Sequence, residues 1–354
     1  MPNLRFTTKP LSDWMRGSAA DSEIVISSRV RIARNLQHIP FPMLATNSQS
    51  EEVLDKLTAV LDDEEAHQFG HFHILKMAEL SDLDKRVLVE KHLISPNLAS
   101  ESRNGAALIS EDESVSIMVN EEDHLRIQCL YPGFQVKEAW ERATALDDVF
   151  EAHAEYAFDD KRGYLTSCPT NVGTGLRASV MMHLPALSMT QQINRILSAV
   201  SQVGLTVRGI YGEGSEAIGN LFQISNQITL GQTELEIIEN LHSVVMQIIS
   251  QERTARQRLL SESRLRISDR IMRSYGILKH AAIMDAKEAG QRLSDVRLGI
   301  DLGILQEPSI PVLNELNVMI QPGFLQKTFN DQMHASERDM YRAQLIRTTL
   351  GTTP

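Results

Sequence analysis

The sequence has few cysteines and no long apolar run. Its 354 residues include two cysteines, Cys129 and Cys168, and no CxxC pair. This excludes a disulfide framework and a cysteine-pair zinc site, and it indicates a reducing compartment. No run approaches the ~18 apolar residues of a membrane span, and the N-terminus carries no apolar signal segment. We therefore expect a cytoplasmic protein without a membrane partner.

Excess positive charge and two common nucleotide-binding motifs are also missing. The formal net charge of -11 argues against nucleic acid or an anionic membrane surface as a direct partner. The sequence contains no GxxxxGK[ST], and Gly212, Gly214 and Gly219 do not fit GxGxxG. A composition of 42% hydrophobic and 5% aromatic residues is typical of a globular enzyme with one large and one smaller domain.

A glycine-rich segment, CPTNVGTGLR, places a thiol and an arginine at its two ends, Cys168 and Arg177. Glycines let a backbone approach a ligand closely and direct amides at phosphate oxygens. A positively charged site also favours the thiolate form of a cysteine. The alternative is a structural loop with a buried cysteine, because free cysteines are often buried.

A second segment, SSRVR, follows a short β-branched run and ends at Arg31. The two-residue period of a strand would project Arg29 and Arg31 from one face. Two neighbouring guanidinium groups suit a polyphosphate. A solvated edge strand would produce the same alternation.

Two further segments carry carboxylates. NEEDHLRI, which begins at Asn120, lies between strand-like runs, and an ordinary solvated turn would explain its acidity. RGIYGEGSE, which begins at Arg208, is a glycine-punctuated loop after another strand-like run. Its glycines suggest mobility over a ligand, and its glutamates suggest contact with a cation.

Taken together and in this order, the four motifs resemble those of the guanidino kinase (phosphagen kinase) superfamily over roughly residues 20 to 250. The chain is most similar to the bacterial protein-arginine kinase branch. SSRVR begins at Ser27, which leaves no room for the helical N-terminal domain of the metabolic enzymes. In addition, RDMYRA, from Arg338 to Ala343, resembles the RDxxRA motif of that branch.

The resemblance implies an α+β fold. Close spacing of the runs around NEEDH favours a hairpin, and we expect an antiparallel β-sheet flanked by helices. We predict a guanidino-kinase-like catalytic domain over 1–255. An all-helical C-terminal domain over 256–354 would have a small core of its own, which favours packing against the catalytic domain or homodimer contacts.

The chemistry of the substrate defines what the site must supply. A guanidinium group has a pKa above ~12, so its nitrogen is not available to attack phosphorus. Paired carboxylates can hold the group, align it and accept its proton. By resemblance these are Glu122 and Glu213, with Glu216 as the competing choice for the second. Cys168 matches the cysteine that stabilises the guanidinium as a thiolate.

The resemblance also implies the ATP site. Arg29, Arg31, Arg126 and Arg177 match the phosphate-contacting arginines, and Arg208 is the expected fifth. Mg²⁺ is expected to arrive with ATP rather than in a cage of protein ligands. The other residues expected to contact ATP are Ser27, Ser28, Val30, His92, Ala178, Ser179, Val180, Met181, Gly209, Ile210, Tyr211, Gly212 and Glu213.

The implied function is transfer of the γ-phosphoryl group of ATP to arginine side chains of proteins. Expected partners are a heat-shock repressor as substrate, a zinc-binding activator protein and the Clp unfoldase and protease. Arg338, Asp339, Arg342 and Ala343 would form an allosteric phosphoarginine pocket, although arginines four apart also mark ordinary solvated helices. The alternatives are a small-molecule guanidino kinase and a phosphoarginine-binding regulatory module without catalysis.

Overall fold

The centre of the molecule is an eight-stranded antiparallel sheet. The computed structural model describes residues 5–16, 19–209, 217–329 and 333–351. The strands are β1 (Val25–Arg34), β2 (Phe72–Lys76), β3 (Ala106–Ser110), β4 (Val115–Val119), β5 (Leu125–Pro132), β6 (Phe158–Asp159), β7 (Gly163–Tyr164), β8 (Leu176–His183), β9 (Leu205–Gly209) and β10 (Leu221–Asn226). The order in the large sheet is β2-β3-β4-β5-β1-β8-β10-β9, and β6 and β7 form a separate two-stranded sheet.

Helices flank the sheet and make up nearly all of the region after it. Among the described helices, none combines the length and apolarity needed to cross a bilayer. They are α1 (Arg5–Thr8), α2 (Asn47–Ala59), α3 (Glu64–His67), α4 (Asp82–Glu90), α5 (Pro96–Glu101), α6 (Val136–His153), α7 (Pro185–Met189), α8 (Ile193–Gln202), α9 (Glu234–His280), α10 (Ala286–Asp301), α11 (Ile310–Met319), α12 (Pro322–Phe329) and α13 (Ala335–Thr349).

The predicted hairpin around NEEDH is confirmed. β4 and β5 pair antiparallel, with Val119 opposite Leu125. β1 lies between β5 and β8 at the middle of the sheet, with Val30 opposite Ala178 and Arg31 opposite Arg177. The interpretation of SSRVR as a solvated edge strand is therefore wrong.

The two faces of β1 and β8 differ completely in chemistry. Val30 and Ile32 on β1, with Ala178 and Val180 on β8, are buried in the main core beneath α6. Arg31 and Ser179, which lie between these pairs in sequence, and Arg29 before Val30 point to the other face, because strand side chains alternate. We call this other side of the sheet the arginine face.

The long helix α9 passes through the predicted domain boundary at residue 255. Its first half packs into the main core as far as Ala255, and its second half enters a separate core from Ile267 onward. Between them, Ser263 has non-helical angles of φ -140° and ψ 27°. The core therefore changes between 255 and 267, while the division at 255 itself stays a prediction.

The helices after α9 pack against the sheet domain through polar contacts. The Glu90 carboxylate accepts hydrogen bonds from the Gly323 and Phe324 amides, at 2.7 and 2.9 Å. Arg297 donates to the Ser22 carbonyl at 2.9 Å. Arg256 forms ion pairs with Asp301 and with Glu252 of its own helix. The C-terminal region is thus held against the domain that contains the eight-stranded sheet.

Candidate active site

One cavity on the arginine face brings together residues from three separate motifs. Its lining includes Arg31, Glu122, Arg126, Cys168 and Arg177. These residues lie on β1, on the β4–β5 turn, on β5, on the glycine-rich segment and on β8. The sheet topology makes this possible, because β5, β1 and β8 are adjacent strands. We call this cavity the transfer cavity.

The arginine face concentrates positive charge. Burial and the charges of Arg177 and Arg126 lower the pKa of Arg29 to about 10. Burial and the neighbouring arginines also hold the pKa of Arg31 well below its usual range. Nε of Arg31 and Nε of Arg177 have no hydrogen-bond partner within the part of the chain that the structure describes. Such a cluster attracts a polyanion.

At one end of the arginine face, polar side chains of the sheet hold the arginines, and carboxylates do not. Nη2 of Arg29 donates to Oε1 of Gln223 at 2.8 Å. Burial, followed by the charge of Arg208 on β9, lowers the pKa of Arg177. Arg208 itself is exposed, and it lies at the border of this group of positive charges.

At the other end of the face, two adjacent glutamates share Arg126. Nη1 of Arg126 lies 2.6 Å from Oε2 of Glu121, and Nη2 lies 2.9 Å from Oε2 of Glu122. Glu121 is buried and accepts a hydrogen bond from the Ser95 hydroxyl at 2.5 Å, whereas the Glu122 side chain is 34% exposed. Glu122 is therefore accessible to a ligand, and Glu121 fixes Arg126. The sequence analysis did not single out Glu121.

Asp123 connects the acidic turn to the cysteine segment. Its Oδ1 accepts hydrogen bonds from the Ser167 amide and from Nδ2 of Asn35, both at 2.7 Å. The Asn35 side-chain amide also donates to the Leu165 carbonyl at 3.1 Å. These contacts fix the position of Glu122 relative to Cys168. Sequence reasoning missed both Asn35 and Asp123, because no motif alone shows that they meet.

Cys168 is half-buried at the start of a 3-10 turn. Its Sγ lies 3.0 Å from Oγ1 of Thr170, and its carbonyl accepts a hydrogen bond from Oγ1 of Thr166 at 2.8 Å. The interpretation of Cys168 as a buried structural cysteine is therefore wrong. That description fits Cys129 instead, since burial raises the pKa of its thiol to about 12.

The glycine amides do not form the anion-binding cradle that the sequence suggested. The Gly173 amide donates to the Tyr164 carbonyl at 3.2 Å, and the Gly175 amide donates to the Asn171 carbonyl at 3.0 Å. Both glycines have positive φ, and a Cβ on Gly173 would lie 2.3 Å from the Thr229 carbonyl oxygen. The glycines thus serve tight backbone packing that shapes the loop.

Several residues expected to contact ATP have side chains turned away from the arginine face. Val30, Ala178 and Val180 lie in the main core. The Ser28 hydroxyl donates to the Gly133 carbonyl and accepts from the Gln135 amide. Because side chains alternate along a strand, Arg29 and Arg31 can point to the arginine face only if these four side chains point to the opposite face. The four side chains therefore support the site from the core side of the sheet.

The other expected ATP contacts line a second cavity beside the first. Ser27, Arg29, His92, Ser179 and Met181 lie on its wall. Burial and the charge of Arg29 lower the pKa of His92 to about 4, so the ring is neutral at neutral pH. We call this second cavity the side cavity.

Part of the predicted site cannot be placed. Ile210, Tyr211, Gly212, Glu213 and Glu216 lie outside the described residues. Gly209 ends β9 immediately before them, and β9 lies at the edge of the sheet next to β10.

The RDxxRA residues lie on α13, in the core formed by the C-terminal helices. Arg342 is buried and donates to the Ile320 and Met284 carbonyls at 3.0 and 2.9 Å, and to Asp339 at 2.5 Å. Ala343 is also buried. Arg338 is half-buried and donates to the Met333 carbonyl at 3.2 Å. The interpretation of this motif as a fully solvated helix face is wrong.

Comparison with solved structures supports the fold. A lombricine kinase crystal structure superposes with a TM-score of 0.58 at 24% identity, covering 71% of each chain. The duplicated taurocyamine kinase from Schistosoma mansoni, with bound transition state analog components, gives a TM-score of 0.60 at 23% identity. That match covers 73% of this chain and 38% of the other. These likenesses confirm the guanidino kinase catalytic fold.

Comparison of sequences identifies the branch. The family described as ATP:guanido phosphotransferase, C-terminal catalytic domain, matches residues 38–255, and the protein-arginine kinase McsB C-terminal domain matches 264–354. A protein-arginine kinase of Brevibacillus brevis is 61% identical over 350 residues, or 99% of this chain and 98% of that protein. One from Halalkalibacterium halodurans is 60% identical, covering 98% and 97%. The chain therefore belongs to the ATP:guanido phosphotransferase family, as one of its protein-arginine kinases.

Proposed function

We propose that the arginine face holds the triphosphate of ATP while Glu122 and Cys168 receive the arginine side chain of a protein substrate beside it. The observation that carries this proposal is the transfer cavity. It places a ligand-accessible carboxylate and a half-buried thiol next to Arg31, Arg126 and Arg177. Phosphate and guanidinium carry opposite charges, and this cavity offers a partner for each.

Phosphoryl transfer needs positioning and charge neutralisation more than covalent chemistry. Arg29, Arg31 and Arg177 supply fixed positive charge to the phosphate oxygens, and this stabilises the charge that spreads over the γ-phosphoryl group in the transition state. The unpartnered Nε atoms of Arg31 and Arg177 are donors available for this purpose. Their burial strengthens the interaction, because less water screens it.

Glu122 is the described carboxylate that lines the transfer cavity. The guanidinium of the substrate would replace Arg126 as its partner, while Glu121 keeps Arg126 in place. One substrate nitrogen then attacks the γ-phosphorus in line, the bond to the ADP oxygen breaks, and the carboxylate accepts the nitrogen-bound proton. We propose Glu213 as the second carboxylate, with Glu216 as the alternative.

Cys168 would contribute as a thiolate that stabilises the positive guanidinium without forming a covalent bond. Its neighbour Arg177 lines the same cavity, so a thiolate there would lie beside a guanidinium group. We therefore assign Cys168 to the orientation of the substrate.

Mg²⁺ would bind together with ATP. This ion keeps several waters and is usually held by nucleotide phosphates with one or two carboxylates. Within the described ranges, no three His, Cys, Asp or Glu side chains are grouped as a metal cage. The ion would supply further charge neutralisation to the transferring phosphoryl group.

Family membership supports further proposals about the setting. We propose a cytoplasmic role in the stress response, with a heat-shock repressor as substrate, a zinc-binding activator, delivery to the Clp unfoldase and protease, and a homodimer. We also propose phosphoarginine binding at the RDxxRA motif. There, Arg338 uses one nitrogen internally, whereas Arg342 is committed to Ile320, Met284 and Asp339.

Single-turnover kinetics of Glu122→Gln test the site assignment. The variant should bind ATP about as well as the unaltered enzyme but transfer phosphate about 10²–10⁴-fold more slowly, because an amide cannot accept the proton. Glu138→Gln, at an exposed position on α6, should behave like the unaltered enzyme. A transfer rate for Glu122→Gln within a few-fold of that control would refute the assignment.

A further inference from the structure

A third arginine of strand β1 lies on the opposite side of the sheet from Arg29 and Arg31. Arg34 ends β1, and it follows Val30 and Ile32 in the alternation that enters the main core. Its side chain is 2% exposed. Arg34 therefore points away from the proposed phosphate site, and its buried charge needs another explanation.

Arg34 contacts helix α6 on one side and the chain around Cys168 on the other. Its Nε and Nη2 donate to Oδ2 of Asp147, at 3.0 and 2.6 Å. Its Nη1 donates to the Thr174 carbonyl at 2.8 Å. The guanidinium carbon lies 3.5 Å from the centre of the Tyr164 ring, which is a cation–π contact. We call Arg34, Asp147, Tyr164 and the Thr174 carbonyl the Arg34 clamp.

The ion pair of the clamp is buried. Asp147 is 4% exposed, and burial raises the pKa of its carboxyl group to about 6, so the group is ionised at neutral pH. Removing two charges from water costs about as much as their attraction returns, so stability alone is a weak reason for this pair. A planar guanidinium with fixed donors is instead well suited to hold a backbone segment in one position.

The clamp holds the far end of the segment that begins at Cys168. The Thr174 carbonyl, which accepts from Arg34, belongs to the same peptide unit as the Gly175 amide. That amide donates to the Asn171 carbonyl, and the Asn171 amide donates to the Cys168 carbonyl, both at 3.0 Å. A chain of hydrogen bonds thus leads from Arg34 to the residue that carries the thiol.

We propose that Arg34 is a positioning residue for phosphoryl transfer, which fixes Cys168 in the transfer cavity from the core side of the sheet. At the near end of the segment, the Ser167 amide is held by Asp123. The clamp fixes the other end, so the thiol has a defined position relative to Glu122. A displacement of about 1 Å in such a site can slow a reaction by about 10²-fold. This inference rests on the proposed role of Cys168 in orienting the substrate.

Steady-state kinetics of Arg34→Lys, with calorimetric titration of ADP, test the proposal. Lysine keeps a positive charge beside Asp147 but lacks the planar fork that also reaches Thr174. We expect kcat for transfer to a protein arginine to fall about tenfold or more, with ADP affinity within about twofold of the unaltered enzyme. The matched control is Arg256→Lys, because Arg256 is also buried and paired with carboxylates, but at the junction of α9 and α10.

Hydrogen exchange separates positioning from a general loss of stability. In Arg34→Lys, amides of residues 168–175 should exchange faster than in the unaltered enzyme, while those of β5 should not change. A kcat for Arg34→Lys within about twofold of that for Arg256→Lys would overturn the proposal. An equal loss of kcat and of ADP affinity would also overturn it, because a general disturbance of the sheet produces that pattern.

Two substitutions of Tyr164 decide the question if Arg34→Lys does not fold. Tyr164→Phe keeps the ring beneath the guanidinium and loses a 3.3 Å hydrogen bond to Glu151. Tyr164→Leu removes the ring, so it should have a kcat about threefold or more below that of Tyr164→Phe. Equal kcat values for these two variants would overturn the proposal.

Cys168→Ser distinguishes failure of this inference from failure of the proposed function. Slow transfer by Cys168→Ser, together with slow transfer by Arg34→Lys, supports both. Slow transfer by Cys168→Ser with normal transfer by Arg34→Lys would refute this inference alone. Transfer by Cys168→Ser at the unaltered rate would refute the role proposed for Cys168 and this inference together.

Discussion

At the scale of single residues, we propose different tasks for two adjacent glutamates. Glu121 is buried and bonded to Ser95, so it can only hold Arg126. Glu122 is partly exposed to the transfer cavity, so it can exchange Arg126 for a substrate. We therefore propose that one carboxylate of this turn, Glu121, positions Arg126 and that the other, Glu122, accepts the proton.

This division predicts separable kinetic effects. Glu121→Gln removes the charge that fixes Arg126, so we expect the KM for ATP to rise about tenfold with a smaller change in kcat, because a charge-assisted hydrogen bond is lost. Glu122→Gln should reverse the pattern by lowering kcat. Steady-state kinetics over a range of ATP concentrations measures both, and identical patterns for the two variants would contradict the division.

His124 predicts a pH dependence of stability. Nδ1 of its buried ring accepts from the Leu36 amide at 3.0 Å, and burial lowers its pKa to about 4. The unfolded chain takes up a proton near pH 6.5, whereas the folded ring stays neutral until about pH 4. The contribution of His124 to the free energy of unfolding is thus fully present above pH 6.5 and falls by roughly 3 kcal/mol towards pH 4.

Urea unfolding at several pH values measures how the free energy of unfolding changes as His124 becomes protonated. His124→Gln should lower stability at pH 7 and give a shallower decline between pH 6.5 and 4 than the unaltered protein. If stability declines equally steeply in the two proteins, protonation of His124 is not the cause of the decline.

Sequence reasoning reached some of these residues and not others. The two-residue period of a strand was enough to place Arg29 and Arg31 on one face. Periodicity cannot distinguish Glu121, Glu122 and Asp123, because three consecutive carboxylates carry no periodic signal, and the family resemblance alone singled out Glu122. Their separate roles come from the turn geometry and from Ser95, Arg126 and Ser167, which lie elsewhere in the chain.

At the scale of elements, the site depends on a contact between two loops. Asp123 in the β4–β5 turn accepts from the Ser167 amide, one residue before Cys168. Asn35, directly after β1, donates to the same carboxylate and to the Leu165 carbonyl. Glu122 and Cys168 are thus neighbours of a shared hydrogen-bonded junction.

Removing this junction should affect stability and activity together. Asp123→Ala leaves the Ser167 amide and Asn35 without their acceptor, and we expect a loss of about 1–3 kcal/mol in the free energy of unfolding. Activity should fall because Cys168 and Glu122 lose their mutual position. Asp160→Ala, at an exposed position, is the control in urea unfolding and in activity assays. Unchanged values for Asp123→Ala would refute the junction.

The glycine-rich segment shows where element-level prediction failed. Its composition suggested free amides for phosphate, but the Gly173 amide bonds Tyr164 and the Gly173 backbone packs against Thr229. Both partners lie outside the motif, and Thr229 lies beyond β10, so nothing within the motif could reveal them. The hairpin around NEEDH was predictable because its contacts are local.

At the scale of the whole molecule, the C-terminal region is integrated with the catalytic sheet. Arg256 contacts Glu252, Asp301 and the Glu23 carbonyl at the junction of the two regions. The sequence predicted a boundary between a catalytic and an all-helical domain at residue 255, but helical periodicity cannot show which neighbours a helix contacts. The passage of α9 from one core to the other and its buried ion pairs were therefore not predictable.

Arg256 should be a strong determinant of stability. Arg256→Met leaves the Glu252 and Asp301 carboxylates buried without their main cation, and we expect a loss of roughly 3–5 kcal/mol in unfolding free energy. Arg258→Met breaks an exposed pair with Glu262 on the same helix and should cost no more than about 1 kcal/mol. Similar urea midpoints for the two variants would contradict this account.

The central claim is that the transfer cavity moves phosphate from ATP to arginine side chains of proteins. Mass spectrometry under conditions that preserve the acid-labile N–P bond tests it most directly, with an arginine-rich protein and free arginine offered side by side. We predict phosphoarginine on the protein with the unaltered enzyme and its loss with Glu122→Ala. Labelling of free arginine alone, or protein labelling that survives Glu122→Ala, would contradict the account.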